Sequence, residues 1–205
     1  PQCELYVDRE RMQLSRWQNE EWAGTTGIIR SGARSKTGVL EGAEFTIDYD
    51  QPTKWKYSKD IYTAGVLGEN YFYGYYPVEK IEKGKVTLRE GAVKDYYSKH
   101  FIRYENVLEE TDAPGEYYID RDTGMMYYYP VDGFSKDSDV KLSVFDKNII
   151  SMSGTENVEI SNILLDSTRG SAIDMRNVKN ITVKNCEIAD VGGRGIYLKG
   201  TDCLV

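Results

Sequence analysis

Between residues 148 and 205 the sequence repeats at an interval of 23. Ile150, Ile173 and Ile196 share one column, Met152, Met175 and Leu198 a second, and Val158, Ile181 and Leu204 a third. Ile160 stands over Val183, Ile163 over Cys186, Leu165 over Ile188, Asn162 over Asn185 and Gly170 over Gly193. Repeats of this length belong to stacked architectures, in which each repeat buries its apolar face against its neighbours. Apolar and polar residues alternate within each repeat, as in Ile173-Asp174-Met175-Arg176, and a period of two marks strands with one buried face. The helix-period segment and leucine pattern of a leucine-rich repeat are missing. The pattern therefore predicts a parallel β-helix of short strands, about three to a coil. Its turns are expected at Gly192-Gly193, Gly195 and Gly200, where positive φ is tolerated. In this register Ile173, Met175, Ile196 and Leu198 point inward, and Asp174 and Tyr197 outward.

Composition narrows the partners. Among 205 residues, 26 basic and 33 acidic side chains give a net charge of −7, which argues against a nucleic-acid backbone or an anionic membrane as the main partner. No apolar run approaches the length that spans a bilayer. The 17 tyrosines and 40% hydrophobic content argue against disorder. Three cysteines without C-x-x-C spacing predict neither a disulfide framework nor a metal site, and no cofactor is expected. Cys186 reads as a small buried hydrophobe, and Cys203 falls in the turn column of Asn157 and Asn180. The chain begins at Pro1 and stops at Val205 within a repeat, so it is expected to be a piece of a longer protein that packs against the remainder of its own coils.

Before about residue 138 the 23-residue register disappears. Short strand-like runs take over: Cys3 to Val7, Arg11 to Arg16, Gly27 to Arg30, Glu44 to Tyr49, Tyr71 to Val78, Lys85 to Leu88 and His100 to Asn106. Two aromatic runs flank Asp120-Arg-Asp-Thr-Gly124, a hairpin in which Gly124 supplies the positive φ. Short helices are allowed only over Glu79 to Lys83 and Ala92 to Lys99. The division expected is a β-rich domain at 1–137 and a partial right-handed parallel β-helix at 138–205, joined through the polar Ser135 to Asp139 segment.

Two stretches resemble a known group. Glu4 to Trp17, ELYVDRERMQLSRW, resembles the L-[FY]-V-[ND]-G-x-R-M-x-L-A-R-W-P-N opening of many right-handed parallel β-helix carbohydrate enzymes, with Glu10 read in place of the usual Gly and Gln18 in place of Pro. Asn106 to Pro130 resembles their N-x-L-E-E-L-D-x-P-G-E-W-Y-L-D-R-x-T-G-x-L-Y-x-Y-P segment, with Thr111 in place of Leu. The resemblance implies a secreted glycoside hydrolase, extracellular or periplasmic, similar to families 120 and 141, in which a β-rich insertion precedes the coils. An oligo- or polysaccharide of plant or host origin would be the substrate. A polysaccharide lyase on the same fold and a non-catalytic glycan-binding or adhesion solenoid are the alternatives, since fold does not fix function.

Glycoside hydrolysis in its common form uses two carboxyl groups, about 5 to 5.5 Å apart for retention. Strands stacked about 4.7–4.9 Å apart present side chains at nearly that spacing. Asp166 and Asp190, 24 residues apart, are the best local pair and the candidate catalytic residues, although Asp also favours turns. Ser151, Asp174 and Tyr197 form an outward column, with Ser153, Arg176 and Lys199 beside it. Asp174, Tyr197 and Arg194 are candidate substrate contacts, and Arg169 a weaker one. Sugar rings stack on aromatic side chains, which singles out Trp22 and Trp55, in polar surroundings, ahead of Trp17, Tyr71, Phe72, Tyr73, Tyr75 and Tyr76. His100 is the lone histidine, so neither a triad nor a zinc site is expected.

Overall fold

Parallel pairing at the 23-residue interval organises the C-terminal part of the computed structural model, which describes residues 3–34, 40–67, 73–90 and 100–205. Ile150–Ser153 pairs with the start of Ile173–Lys184, setting Ile150 opposite Ile173 and Met152 opposite Met175. Glu156–Ser161 pairs with the second half of the same strand, Val158 opposite Ile181 and Ile160 opposite Val183. Leu164–Thr168 pairs with Glu187–Val191, and Ile196–Thr201 adds to the outer side of Ile173–Lys184. Apolar residues thus stack on their own kind. Ile173, Met175 and Ile181 retain no exposure, and Ile150, Met152, Val158, Ile160, Ile188 and Ile196 pack around them.

The register slips once. Ile196 to Lys199 lie 23 residues beyond their partners, but after a bulge at Arg176/Val178 the interval becomes 22, so that Gly200 faces Val178 and Leu204 bridges Thr182. The expected stacking of Leu204 on Ile181 is therefore displaced by one residue, as a bulge requires.

Bends in the chain, within strands as well as between them, fall at residues of positive φ, and these stack as well. The pairs are Gly154 with Asn177, Asn157 with Asn180, Asn162 with Asn185, and Ser167 with Asp190. After the slip Asp202, at φ 55, takes the place below Asn180, which corrects the expectation that Cys203 does. Asn and Asp tolerate the left-handed region better than other residues with a Cβ. The Asn180 side-chain amide also donates to Asn157 Oδ1 at 2.7 Å. None of the expected turn glycines Gly192, Gly193, Gly195 and Gly200 takes positive φ, and Gly193, with Gly170 stacked on it, serves a different purpose. Neither has positive φ; a Cβ on Gly170 would lie 2.4 Å from the Lys147 carbonyl, and one on Gly193 would lie 2.7 Å from that of Gly170. They are glycines because successive backbones nearly touch there.

The chain divides into two compact units, residues 1–12 with 133–205 and residues 13–132. In the first, Glu4–Val7 pairs antiparallel with Val140–Ser143 and with Glu10–Arg11. Asp8 and Arg9, both at positive φ, close that tight hairpin. The position of the resembled motif that calls for Gly is thus Arg9, and Glu10 already belongs to the next strand. This places residues 3–12, read from the sequence as part of the aromatic-rich domain, in the unit of the parallel strands.

Among its described residues the second unit is antiparallel apart from one short parallel pairing. Its main sheet runs Arg16–Trp17, Phe101–Glu105, Tyr62–Val66, Gly74–Glu82, Lys85–Leu88, Glu44–Thr46 and Gly27–Arg30, with Ala23–Gly24 beside Phe101–Glu105. Phe45, Leu67, Val86, Leu88, Ile102 and Tyr104 are fully buried in its core. The short helix allowed over Glu79 to Lys83 is instead strand, continued to Glu82 and turned at Gly84, φ 74. Pairing with Lys85–Leu88 satisfies backbone groups that a single helical turn would leave open. Ala92 to Lys99, Tyr71 and Phe72 lie outside the described residues. The hairpin around Asp120 forms from Glu116–Asp120 and Met125–Tyr128. Asp120 Oδ1 accepts the Asp122 amide at 3.0 Å, and Gly124 takes φ 73. Among the described residues there is no α-helix, only two short 3-10 turns, and no helix is long and apolar enough to cross a membrane.

Candidate functional site

Alternation along the parallel strands turns every second side chain outward, and in-register pairing lines those side chains up in rows. Ser151, Asp174 and Tyr197 form one row, and Ser153, Arg176 and Lys199 the next. Arg176 grips Asp174 with two bonds, Nε to Oδ1 at 2.7 Å and Nη2 to Oδ2 at 3.0 Å. That bond holds the Asp174 carboxyl below the usual carboxylate range. Tyr197 has two guanidinium carbons, those of Arg176 and Arg194, each 5.1 Å from its ring centroid, within cation–π range. Asp174 and Tyr197, read from the sequence as one column with Arg176 beside it, and Arg194, singled out apart from them, are thus one cluster with Arg176 at its centre. It presents an aromatic ring, a carboxylate and, in Arg194, a cation without an ion-pair partner among the described residues.

Asp166 and Asp190 also meet, around Lys141. Its ammonium lies 2.8 Å from Asp166 Oδ2 and 3.1 Å from Asp190 Oδ2. Asp166 pairs in register with Ala189, and the left-handed corner at Asp190, φ 51, brings a residue one position later back to the same cation. Burial pushes the Asp166 carboxyl up, but the Lys141 and Ser167 bonds outweigh it and hold the group below its usual range. The Lys141 ammonium is correspondingly raised by its bonds to Asp166 and Asp190. A general acid needs a carboxyl that keeps its proton near neutral pH; one stabilised as the anion by an ammonium is suited to binding a cation. Close by, Arg9 pairs with Glu187. Burial and a 2.9 Å bond to Glu4 push the Tyr6 hydroxyl up to about 12. No sequence signal pointed to Lys141, because its two closest partners lie 25 and 49 residues away, although Asp139 also lies 3.7 Å from its ammonium.

The two nominated tryptophans of the second unit differ. Trp22 is 40% exposed, set edge-on to Tyr73 with centroids 6.1 Å apart. The Arg103 guanidinium sits 4.3 Å from its ring centroid, held in place by the Glu20 and Glu21 carbonyls. Trp55 is half-buried against Tyr104, centroids 5.2 Å apart, and its indole N–H donates to Glu110 Oε1 at 2.6 Å. Trp55 is one of the residues lining a cavity of about 490 Å³. His100 is buried, its Nδ1 3.2 Å from the Val66 carbonyl oxygen. No group of three His, Cys, Asp or Glu side chains able to hold a metal occurs among the described residues, and the three cysteines are free thiols.

The fold has a counterpart among solved structures. The chain is similar to a protein described as a glycoside hydrolase. The superposition has a TM-score of 0.50 at 14% sequence identity, covering 90% of this chain and 31% of the other. At that identity the likeness is one of fold, and the chain spans about a third of the length of the protein it matches. No family model matches the chain, and no curated protein does.

Proposed function

We propose that the chain is part of a carbohydrate-active enzyme of glycoside hydrolase type, acting on a plant or host polysaccharide outside the cell. In this reading residues 133–205 with the N-terminal hairpin are coils of a right-handed parallel β-helix, and residues 13–132 are a β-rich insertion that adds binding surface. The observation that carries the proposal is the in-register outward row of Asp174 and Tyr197, flanked by Arg176 and Arg194, in a chain whose structural neighbour is described as a glycoside hydrolase. A ring face with hydrogen-bonding groups at its edges suits a pyranose, whose faces are apolar and whose rim is hydroxyl.

In this proposal Asp166 and Asp190 hold the strand Val140–Ser143 through Lys141, and the carboxylates that cleave the glycosidic bond lie outside these 205 residues. The 31% share of the matched chain supports that placement. The test is a titration of the 205-residue chain with a panel of neutral and acidic oligosaccharides by calorimetry. At least one should bind, and Tyr197→Ala and Arg194→Ala should each weaken it at least tenfold. A panel without a single binder would refute the reading.

A further inference from the structure

The 490 Å³ cavity beside Trp55 lies wholly within the second unit. One wall is the 3-10 turn Gln51–Lys54 and the segment after it, contributing Thr53, Trp55, Ser58 and Ile61. The other is the strand Gly74–Glu82 with Lys83, and Arg89 completes the lining. The volume is that of small-ligand sites, about 300–1,000 Å³.

This wall is held rigidly. Glu110, 7% exposed, accepts both the Trp55 indole N–H at 2.6 Å and the Gln51 amide at 2.7 Å. Its neighbour Glu109 accepts the backbone N–H of Tyr57 at 2.7 Å, and also bonds Lys56 and Ser58. Burial pushes the Glu109 carboxyl up, but these donors outweigh it and leave the group below its usual range. Two carboxylates are thus used to fix one loop and one indole ring, an arrangement that preorganises a binding surface. Across the cavity the strand bulges between Val78 and Lys80. The bulge leaves Glu79 out of the pairing and turns its side chain to a new direction.

The charges are unevenly matched. Lys80 pairs with Glu82 at 2.8 Å and Asp60 with Arg121 at 3.6 Å. Lys83 and Arg89 are exposed and have no ion-pair partner among the described residues, against the single unpaired carboxylate of Glu79. In a chain of net charge −7 this lining has an excess of free cations beside an aromatic ring. A guanidinium offers a planar fork that matches a carboxylate, while an indole face suits the apolar side of a sugar ring.

We propose that this cavity binds a short oligosaccharide carrying a carboxylate, with one sugar ring against Trp55 and a uronate carboxylate on Arg89 and Lys83. The proposal rests on the carbohydrate reading above and names a second site and an acidic substrate class for it. Glu79 then accepts hydrogen bonds from ring hydroxyls.

The experiment titrates the 205-residue chain with trigalacturonic acid and with maltotriose by calorimetry, at low and at high salt. Trigalacturonic acid should bind, more weakly at high salt as screening requires, and maltotriose at least tenfold more weakly. Arg89→Gln and Lys83→Gln, surface changes whose folding is checked by far-UV circular dichroism, should each lower trigalacturonate affinity about tenfold. Equal binding of the two sugars, or affinity unchanged in both variants, overturns the proposal. If binding survives in Arg89→Gln but is lost in Tyr197→Ala, the cavity fails and the carbohydrate reading stands. If neither sugar binds, the cavity proposal falls, and the wider panel then decides whether the carbohydrate reading falls with it.

Discussion

Ile173→Ala measures how much the stacked column contributes. Ile173 has no exposed surface and sits between Ile150 and Ile196 in one parallel register. The backbones on either side are tied by hydrogen bonds from Ile150 N to the Ala172 carbonyl at 2.9 Å and from Ile173 N to the Gly195 carbonyl at 3.1 Å. The space left by the missing atoms therefore collapses poorly. Losses for such truncations run from about 2 to 5 kcal/mol, and the upper part of that range, about 4 kcal/mol, is expected here. Ile196 occupies the same column but is only partly covered, so Ile196→Ala should cost about 2 kcal/mol. Asp174→Asn changes an outward, solvent-screened pair and should stay close to the parent. Urea unfolding followed by far-UV circular dichroism, with the slope unchanged, gives the three values. If Ile196→Ala costs as much as Ile173→Ala, or Asp174→Asn matches either, the column does not carry the load assigned to it.

Further tests address the corners, the ion cluster and the indole anchor. Gly193→Ala drives a Cβ into the Gly170 carbonyl and should destabilise by about 2 kcal/mol or more, whereas Gly195→Ala meets only Ile188 Cγ2 at 3.9 Å and should be tolerated; thermal melts that rank the two the other way would contradict the close-approach argument. The Asp166 carboxyl lies below its usual 3.8 in the folded chain, so its contribution is present above pH 3.8 and is lost as pH falls through the lowered value. Lys141→Met removes the ammonium that favours the ionised Asp166, so the Tm deficit of the variant should narrow as pH is lowered below 3.8 and the parent loses the Asp166 contribution; a deficit that widens would count against the cluster. Glu110→Ala strips the Trp55 indole and the Gln51 amide of their acceptor and should cost about 1–3 kcal/mol, with tryptophan emission shifted to the red; unchanged emission would mean that Glu110 does not hold the ring.

Where the sequence repeats, position in the fold could be read directly, because a strand paired in parallel with its own copy must set like upon like. The pairs Ile150 to Ile173 and Leu165 to Ile188 appear in the pairing as they do in the text of the chain. The one-residue slip after Arg176 was not legible, since a bulge leaves no mark on composition. The role of Gly193 was misread because a glycine needed for clearance looks the same in sequence as one needed for φ. The outward cluster was half visible: Asp174 and Tyr197 follow from alternation, but the double grip of Arg176 on Asp174 and its approach to Tyr197 depend on rotamers. Lys141 and the Glu110 anchor were hidden because long-range polar partners carry no periodic signature. Trp55 looked solvent-facing from its polar neighbours, yet those neighbours, Lys54 and Lys56, turn outward while the ring packs on Tyr104.

The stacked corners have a consequence for how such a chain can change its length. Because Asn157 sits over Asn180 and Asn162 over Asn185, a tandem duplication of 23 residues would insert a segment whose corners match those already stacked. A duplication of 24 would need a bulge to absorb the extra residue, as the bulge at Arg176/Val178 absorbs a missing one. Growth and loss are therefore quantised, and each accepted step lengthens the outward row by about 4.8 Å without rearranging the side chains already in it. The extent of such a surface is then set by copy number, and the chemistry at each position by single substitutions, so the two can vary independently.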